Sequence, residues 1–319
     1  MEPCARIRIG TQSKYVQFDQ VNKLQIEESV KDLGDKATIT LPRNYMKLAG
    51  KSVLDYIKVG DLVIIELGVN EKYYEEFRGY LGEIETGAPL VLHVDDLFYP
   101  LKRNNWLKSW KAVTLRELLT FVAPGYTIDC PKVALGAFQL SNVSTYRVIT
   151  DLCQTYGFYS YVRNNVLTCQ FAYDVRGTGN EHTYTFYENV KANGLKYHRA
   201  EDVKVRIKAI ANQRNGKKLT YEVGSTDTDA SQRTLNFGAI TQEELKTAAE
   251  QWYKKVSFDG YTGSVTGFAN PKTHAGDSLI IIDREEPDRD GKYLIEKTVI
   301  TYDPFSTGYQ RENTLSFRI

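Results

Sequence analysis

Two stretches far apart in the chain decide how it reads: Gly60-Asp61-Leu62-Val63-Ile64-Ile65-Glu66 and Gly276-Asp277-Ser278-Leu279-Ile280-Ile281-Ile282-Asp283. Each is a turn feeding an apolar strand, in which glycine supplies a positive φ and aspartate bonds to its own backbone. The next strand also matches loosely, with Arg78-Gly79-Tyr80-Leu81-Gly82-Glu83-Ile84 set against Gly291-Lys292-Tyr293-Leu294-Ile295-Glu296-Lys297. Ordinary turn chemistry accounts for either turn alone, whereas a duplicated barrel accounts for both together. Under duplication, two similar modules per chain let three chains close a ring of near-six-fold symmetry. Gly60, Asp61, Gly276 and Asp277 are therefore the candidate structural site.

Around the first stretch the text alternates as short strands do: Ala5 to Ile9, Lys14 to Phe18, Lys23 to Ile26, Ala37 to Leu41, Phe77 to Ile84 and Pro89 to Val94. Many short strands without a long helix predict a barrel or sandwich. From Lys102 the period changes. Thr114 precedes a helical run through Val122, and Ser144 precedes a second helix that Gly157 stops. A hairpin across Arg163-Asn164-Asn165 follows, then strands joined at Asn215-Gly216, then a helix capped by Thr241 with Glu243 and Glu244 in its first turn and Lys254 and Lys255 in its last. The expected fold is α+β and β-dominated, with two similar β-barrel domains and an intervening α+β domain. The expected boundaries are 1–101, 102–192 and 193–319, the last with a helical insertion around 241–256.

Composition narrows the function. The 41 Lys and Arg nearly balance 40 Asp and Glu, so no global basic field drives nucleic-acid or membrane-surface binding. The 22 tyrosines suit pleated, half-buried surfaces and interfaces. Cys4, Cys130, Cys153 and Cys169 form no Cys-x-x-Cys pair and read as reduced thiols. The N-terminus lacks a signal-peptide apolar run, and no stretch approaches the roughly 20 apolar residues of a membrane span.

The chemistry-bearing residues read as structural. His93, His182, His198 and His274 lie on separate segments without metal-ligand spacing, His93 as a barrel residue and His182 and His274 as loop residues. Asp95-Asp96 reads as a strand end in which Asp95 caps a short helix through Leu97-Phe98-Tyr99. The run from Asp283 through Glu285-Glu286 to Gly291 reads as a solvated hairpin loop, because its spacing does not fit a calcium loop. Gly177-Thr178-Gly179 precedes no helix and reads as a linker or turn after Tyr173-Asp174-Val175-Arg176. No catalytic residue, cofactor site or metal site is expected.

The order of these signatures resembles the baseplate hub proteins of contractile phage tails, of the late-control-D type. The resemblance spans nearly the whole chain. Its carriers are Val59-Gly60-Asp61 to Ile65, Phe77-Arg78-Gly79-Tyr80, Asp95-Asp96 into Leu97-Phe98-Tyr99, Leu115-Arg116-Glu117-Leu118-Leu119, the segment from Val148 through Tyr156-Gly157-Phe158, and a closing run that includes Asp259-Gly260-Tyr261, Pro271, Ala275-Gly276-Asp277 and Gly291-Lys292-Tyr293. It implies a homotrimeric ring with a central channel, adapting a six-fold tail tube to a three-fold spike. Similar modules form the base of type six secretion spike proteins. The implied partners are other copies of the chain, the tail tube protein, the spike protein and the tape-measure protein, with no membrane and no specific nucleic acid. The implied location is the baseplate of a virion tail assembled in the bacterial host cytoplasm. The chain ends soon after the second barrel signature, with no appended needle or lysozyme-like domain, so any wall-degrading role is expected of a partner. The alternatives are a carbohydrate- or nucleic-acid-binding barrel and a tail-associated cell-wall hydrolase.

Overall fold

The computed structural model describes residues 2–11, 13–48, 50–163, 165–171, 177–213 and 216–319. Residues 164, 173–176 and 215, part of the turns and linker expected above, lie outside the described residues. The first β unit comprises β1 (Pro3–Gly10), β2 (Tyr15–Phe18), β3 (Lys23–Ser29), β4 (Lys36–Leu41), the short β5 (Lys47–Leu48) and β6 (Lys51–Ser52), β7 (Leu62–Val69), β8 (Lys72–Glu85) and β9 (Leu90–Asp96). Alternation buries one face of the main strands, as in Ile7 and Ile9, Leu24 and Ile26, Ile39 and Leu41, and Val63 and Ile65. Phe18 of β2 and Leu24 of β3 stand at the two ends of this strand series yet share one core, so the sheet curls around it.

The middle of the chain holds β10 (Asn105–Thr114), α1 (Leu115–Val122), β11 (Thr127–Asp129), β12 (Ala134–Ser144), α2 (Thr145–Tyr156), β13 (Phe158–Arg163) and β14 (Val166–Phe171). Local signals fix both helices. Thr114 forms a capping box with Glu117, Ser144 accepts from the Arg147 amide, and Gly157 closes α2 in the left-handed region at φ 71°. Their apolar faces, including Leu118, Leu119, Val148 and Ile149, build a core of their own.

The chain continues through β15 (Glu181–Thr185), β16 (Val190–Asn193), β17 (Lys196–His198), β18 (Val205–Asn212), β19 (Lys218–Gly224), β20 (Ser231–Phe237), α3 (Gln242–Val256), β21 (Gly260–Phe268), β22 (Ser278–Ile282), β23 (Gly291–Asp303) and β24 (Gly308–Arg318). β18, β19 and β20 form a separate three-stranded sheet that α3 covers, with Ile207, Ala209, Leu245 and Trp252 between them. The insertion in the second β unit is thus a small α/β layer over 205–256, wider than its helix. The expected boundary at 192/193 falls inside β16, whose partner is β21, while β15 pairs in parallel with β22. Ladder hydrogen bonds decide membership here, and a change of periodicity does not reveal them.

Among the described residues fourteen strands form one sheet, along the path β16-β21-β24-β23-β3-β4-β9-β8-β7-β1-β2 with β15, β17 and β22 off it. The expectation is two similar β-barrel domains. Among the described residues the ladders close neither unit, and the reason lies in β23. Its first residues pair with β22, its last with β3, and β24 lies along its other edge. The outer edge of β3 is therefore taken by the second unit and cannot return to β2. Ile300, Tyr302 and Tyr309 pack into the first core, while Tyr293, Ile295 and Leu315 on the same two strands pack into the second.

Candidate assembly interface

The two Gly-Asp turns share one hydrogen-bonding pattern. Gly60 and Gly276 both sit at φ 94°, a conformation that disfavours any residue with a Cβ. The Gly60 amide donates to the Leu81 carbonyl (2.7 Å) and the Gly276 amide to the Ile295 carbonyl (2.9 Å). Leu81 and Ile295 return the bond to the carbonyls of Asp61 and Asp277, each at 2.9 Å. The Asp61 carboxylate accepts from the Lys58 amide and the Asp277 carboxylate from the His274 amide, again each at 2.9 Å.

From these anchors the strands correspond pair by pair. Leu62 faces Tyr80 and Ser278 faces Leu294, so Tyr80 corresponds to Leu294. The sequence match that set Tyr80 against Tyr293 is one residue out of register, which in a strand exchanges the two faces. The correspondence runs on through a shared bulge. Leu81 and Glu83 face Val94 and His93, just as Ile295 and Lys297 face Leu315 and Thr314. The outermost strand departs from the pattern, because β1 meets β7 antiparallel and β15 meets β22 parallel.

Where β23 crosses into the first unit, Lys297 to Tyr302 pair with Ser29 to Leu24, and the Val30 amide donates to the Glu296 carbonyl (3.0 Å). Lys297 Nζ lies 2.8 Å from Glu27 Oε2, and this bond holds the Glu27 carboxyl below its ordinary range against the opposing effect of burial. A polar clasp lies behind this seam. His274 Nδ1 is 3.0 Å from Glu28 Oε2, and the Ala275 amide donates to the same oxygen. Burial alone would raise the Glu28 carboxyl and lower His274. Their mutual hydrogen bond and charge outweigh it, so Glu28 is held low and His274 high. Arg311, fully buried, has Nη2 2.8 Å from Glu76 Oε2 and donates to the carbonyls of Ala269 and Thr273 and to Tyr309 Oη. Asn313 accepts from the Thr273 and Thr298 hydroxyls and donates to Tyr184 Oη.

The α+β unit docks beside the seam. Arg163 of β13 pairs with the buried Asp35, and Tyr159 Oη donates to Glu296 Oε2 (3.2 Å). Burial pushes the Asp35 carboxyl up to about 7; Arg163 opposes this, and the neighbouring Glu28 and Asp96 reinforce it.

The other polar residues singled out from sequence are dispersed. His93 faces outward on β9 with Nε2 2.7 Å from Glu85. His182 is a strand residue of β15 rather than a loop residue, and its Nε2 lies 3.0 Å from Asp277 Oδ2. Thr178 and Asn180 also donate to Asp277, so residues 178, 180 and 182 converge on one buried carboxylate. Gly177-Thr178-Gly179 is thus the lead-in to a strand that clamps this turn. Polar residues at alternate positions before a strand were the available signal. The helix cap assigned to Asp95 belongs to neither carboxylate. The 3-10 turn runs over Tyr99–Lys102 behind Phe98, which makes no side-chain cap, while Asp96 accepts from the Phe98 and Asp35 amides and Asp95 pairs with Lys102 (2.6 Å). Alternation along β9 sends the two carboxylates to opposite faces. Asp283 turns the hairpin loop by accepting from the amides of Glu285 and Glu286. All four cysteines are free thiols. Among the described residues no three His, Cys, Asp or Glu side chains gather as metal ligands, and no helix is long and apolar enough to cross a membrane.

No family model and no curated protein matches the chain. Solved structures do. A tail protein from Neisseria meningitidis MC58 superposes with a TM-score of 0.65 at 13% identity, covering 99% of this chain and 97% of that one. The 43 kDa tail protein of prophage MuSo2 from Shewanella oneidensis gives 0.63 at 13% identity, over 99% and 98%. An Escherichia coli component of the type VI secretion system, described as similar to the bacteriophage T4 tail proteins gp27 and gp5, gives 0.57 at 8% identity, over 98% and 76%. At these identities the likeness is one of fold. The chain carries, over its whole length, the fold of phage tail proteins and of a related secretion-system component, the fold that its resemblance to baseplate hubs implies.

Proposed function

We propose that this chain is a structural hub subunit of a phage-type tail, three copies of which form a ring with a central channel between a six-fold tube and a three-fold spike. One observation carries the reading: a single chain holds two β units with a common ladder, joined edge to edge by β23 and β3. A contact between unlike edges of like units generates a ring when the rotation closes. Two units per chain and three chains give six positions, matching a tube above, while the chain count matches a spike below. On this reading the working domains are rolled, barrel-like units over 1–101 and over the segment ending at 319, the latter extended back to β15, with the α+β unit from 102 outside the ring. Tail tube, spike and tape-measure proteins are its partners, and its place is the tail baseplate assembled in the host cell. Its role is mechanical, without a cofactor and without catalysis.

Light scattering tests this. The expected mass is three times the 36.4 kDa of one chain, with negative-stain images showing rings, and each interface burying on the order of 2,000 Å². A monomer at high concentration overturns the reading. Lysis in a peptidoglycan zymogram overturns its non-enzymatic part.

A further inference from the structure

The seam inside the chain has a vacant counterpart. β23 offers its edge beyond Ile295 to β3, and the equivalent edge of β8 beyond Leu81 has no strand beside it among the described residues. β3 itself has an equivalent. It lies beside β4, which lies beside β9. In the second unit β16 and β17 lie beside β21, which lies beside β24. Carrying the register across, Ile39 corresponds to Val265, Leu24 to Asn193 and Glu27 to Lys196. Among the described residues the outer edge of β16 and β17 is likewise unpaired. An open edge is a template for another strand.

We propose that these two edges are the halves of one seam, filled by a second copy of this chain, so that residues 83–88 of one copy pair antiparallel with residues 198–193 of the next. This rests on the ring reading above and gives it a residue-level interface. Charge supports the choice of occupant. In the internal seam Lys297 meets Glu27; in the proposed one the corresponding residues are Glu83 and Lys196, the same pair with its signs exchanged. Both are exposed, and neither has an ion-pair partner among the described residues. Ile84 and Tyr197, both half-buried apolar residues, come to face each other where Thr298 faces Glu28 inside the chain. The Gly82 carbonyl takes the place of Glu296 and accepts from the Arg199 amide of the neighbouring copy, as Glu296 does from Val30.

The register makes the test specific. Glu296 and Val30 are a hydrogen-bonded pair, so three residues on, Val299 and Glu27 are a non-hydrogen-bonded pair, the closer kind. Their counterparts are Glu85 and Lys196. A Glu85→Cys/Lys196→Cys chain under oxidising conditions should give covalent species ending at a trimer, since this spacing suits a disulfide, and neither single variant should do so. Glu83→Lys should weaken self-association by about tenfold through like-charge contact, and Glu83→Lys/Lys196→Glu should restore it. A native trimer that never cross-links, or a double charge variant that is not rescued, overturns the seam and leaves the ring reading standing. A ladder running past the trimer supports the seam and overturns the three-chain ring. A monomer that does not cross-link overturns both.

Discussion

The two β units share a ladder but differ in what they bury. By register, Leu90 and Leu92 of the first correspond to Arg311 and Asn313 of the second, and all four are inaccessible to solvent. The same strands thus support an apolar interior in one place and a hydrogen-bonded network in the other. The network lies against the first unit, where Glu28 and Glu76 complete it. Packed leucines of similar volume stabilise more than a buried ion pair does, but a polar network tolerates no slip of register, because each displaced group would be left unpaired. The junction is held by specificity and the first core by area.

Breaking that contrast should have its largest effect at Arg311. Arg311→Ala removes the hydrogen-bonded cation of buried Glu76, leaving it Lys272 at 3.8 Å and His274 at 3.9 Å, and should cost about 3–5 kcal/mol in urea unfolding, whereas Arg311→Met with Glu76→Leu should recover most of the loss. The two Gly-Asp turns sharpen the comparison. Asp277→Ala removes the shared acceptor of Thr178, Asn180, His182 and the His274 amide and should cost about 2–4 kcal/mol. Asp61→Ala, at an exposed turn, should cost under about 1 kcal/mol; equal losses would mean that the convergence on Asp277 contributes nothing. Gly60→Ala and Gly276→Ala, having the same φ, should each cost about 1–2 kcal/mol. Gly276→Ala should cost more, since an added Cβ meets Thr178 Cγ2 at 3.3 Å while at Gly60 the nearest atom is 3.9 Å away.

The smallest effect is one of pH. His274 is raised in the fold above 6.5, so its contribution is complete below that value and is lost as pH rises through the raised one. Glu28 is lowered below 4.5, so its contribution is present above 4.5 and lost as pH falls through the lowered value. Asp35, raised from 3.8 to about 7, favours the protonated fold, an advantage complete below 3.8 and lost by the time pH has passed 7. Melting temperature should therefore fall as pH rises from 3.8 to about 7 on account of Asp35, with His274 adding to the fall above 6.5, and the slope should flatten in His274→Gln and in Asp35→Asn.

Much of this architecture is written locally, and the rest is not. The helix caps at Thr114, Ser144 and Thr241 act within three residues, so they are legible in the text. Alternation placed the strands of the first unit for the same reason. Strand neighbours are another matter: β3 meets β23 across some 270 residues, and no short-range pattern announces that edge. The repeat was visible at its turns but one residue out beyond them, because insertions and bulges shift a strand without altering its composition. In Tyr309-x-Arg311-x-Asn313-x-Leu315, alternation carried Arg311 and Asn313 inward with their apolar neighbours, and it was the polar network awaiting them that the sequence could not display.

The passage of β23 into the first unit also sets an order of events during synthesis. β3 leaves the ribosome early, yet the strand that covers its edge, Lys297–Tyr302, is made almost last. Through most of translation that edge is open to any other nascent chain. Lys23, Glu27 and Glu28 place charges along it, as gatekeepers do on a sheet edge that must stay unpaired for a time.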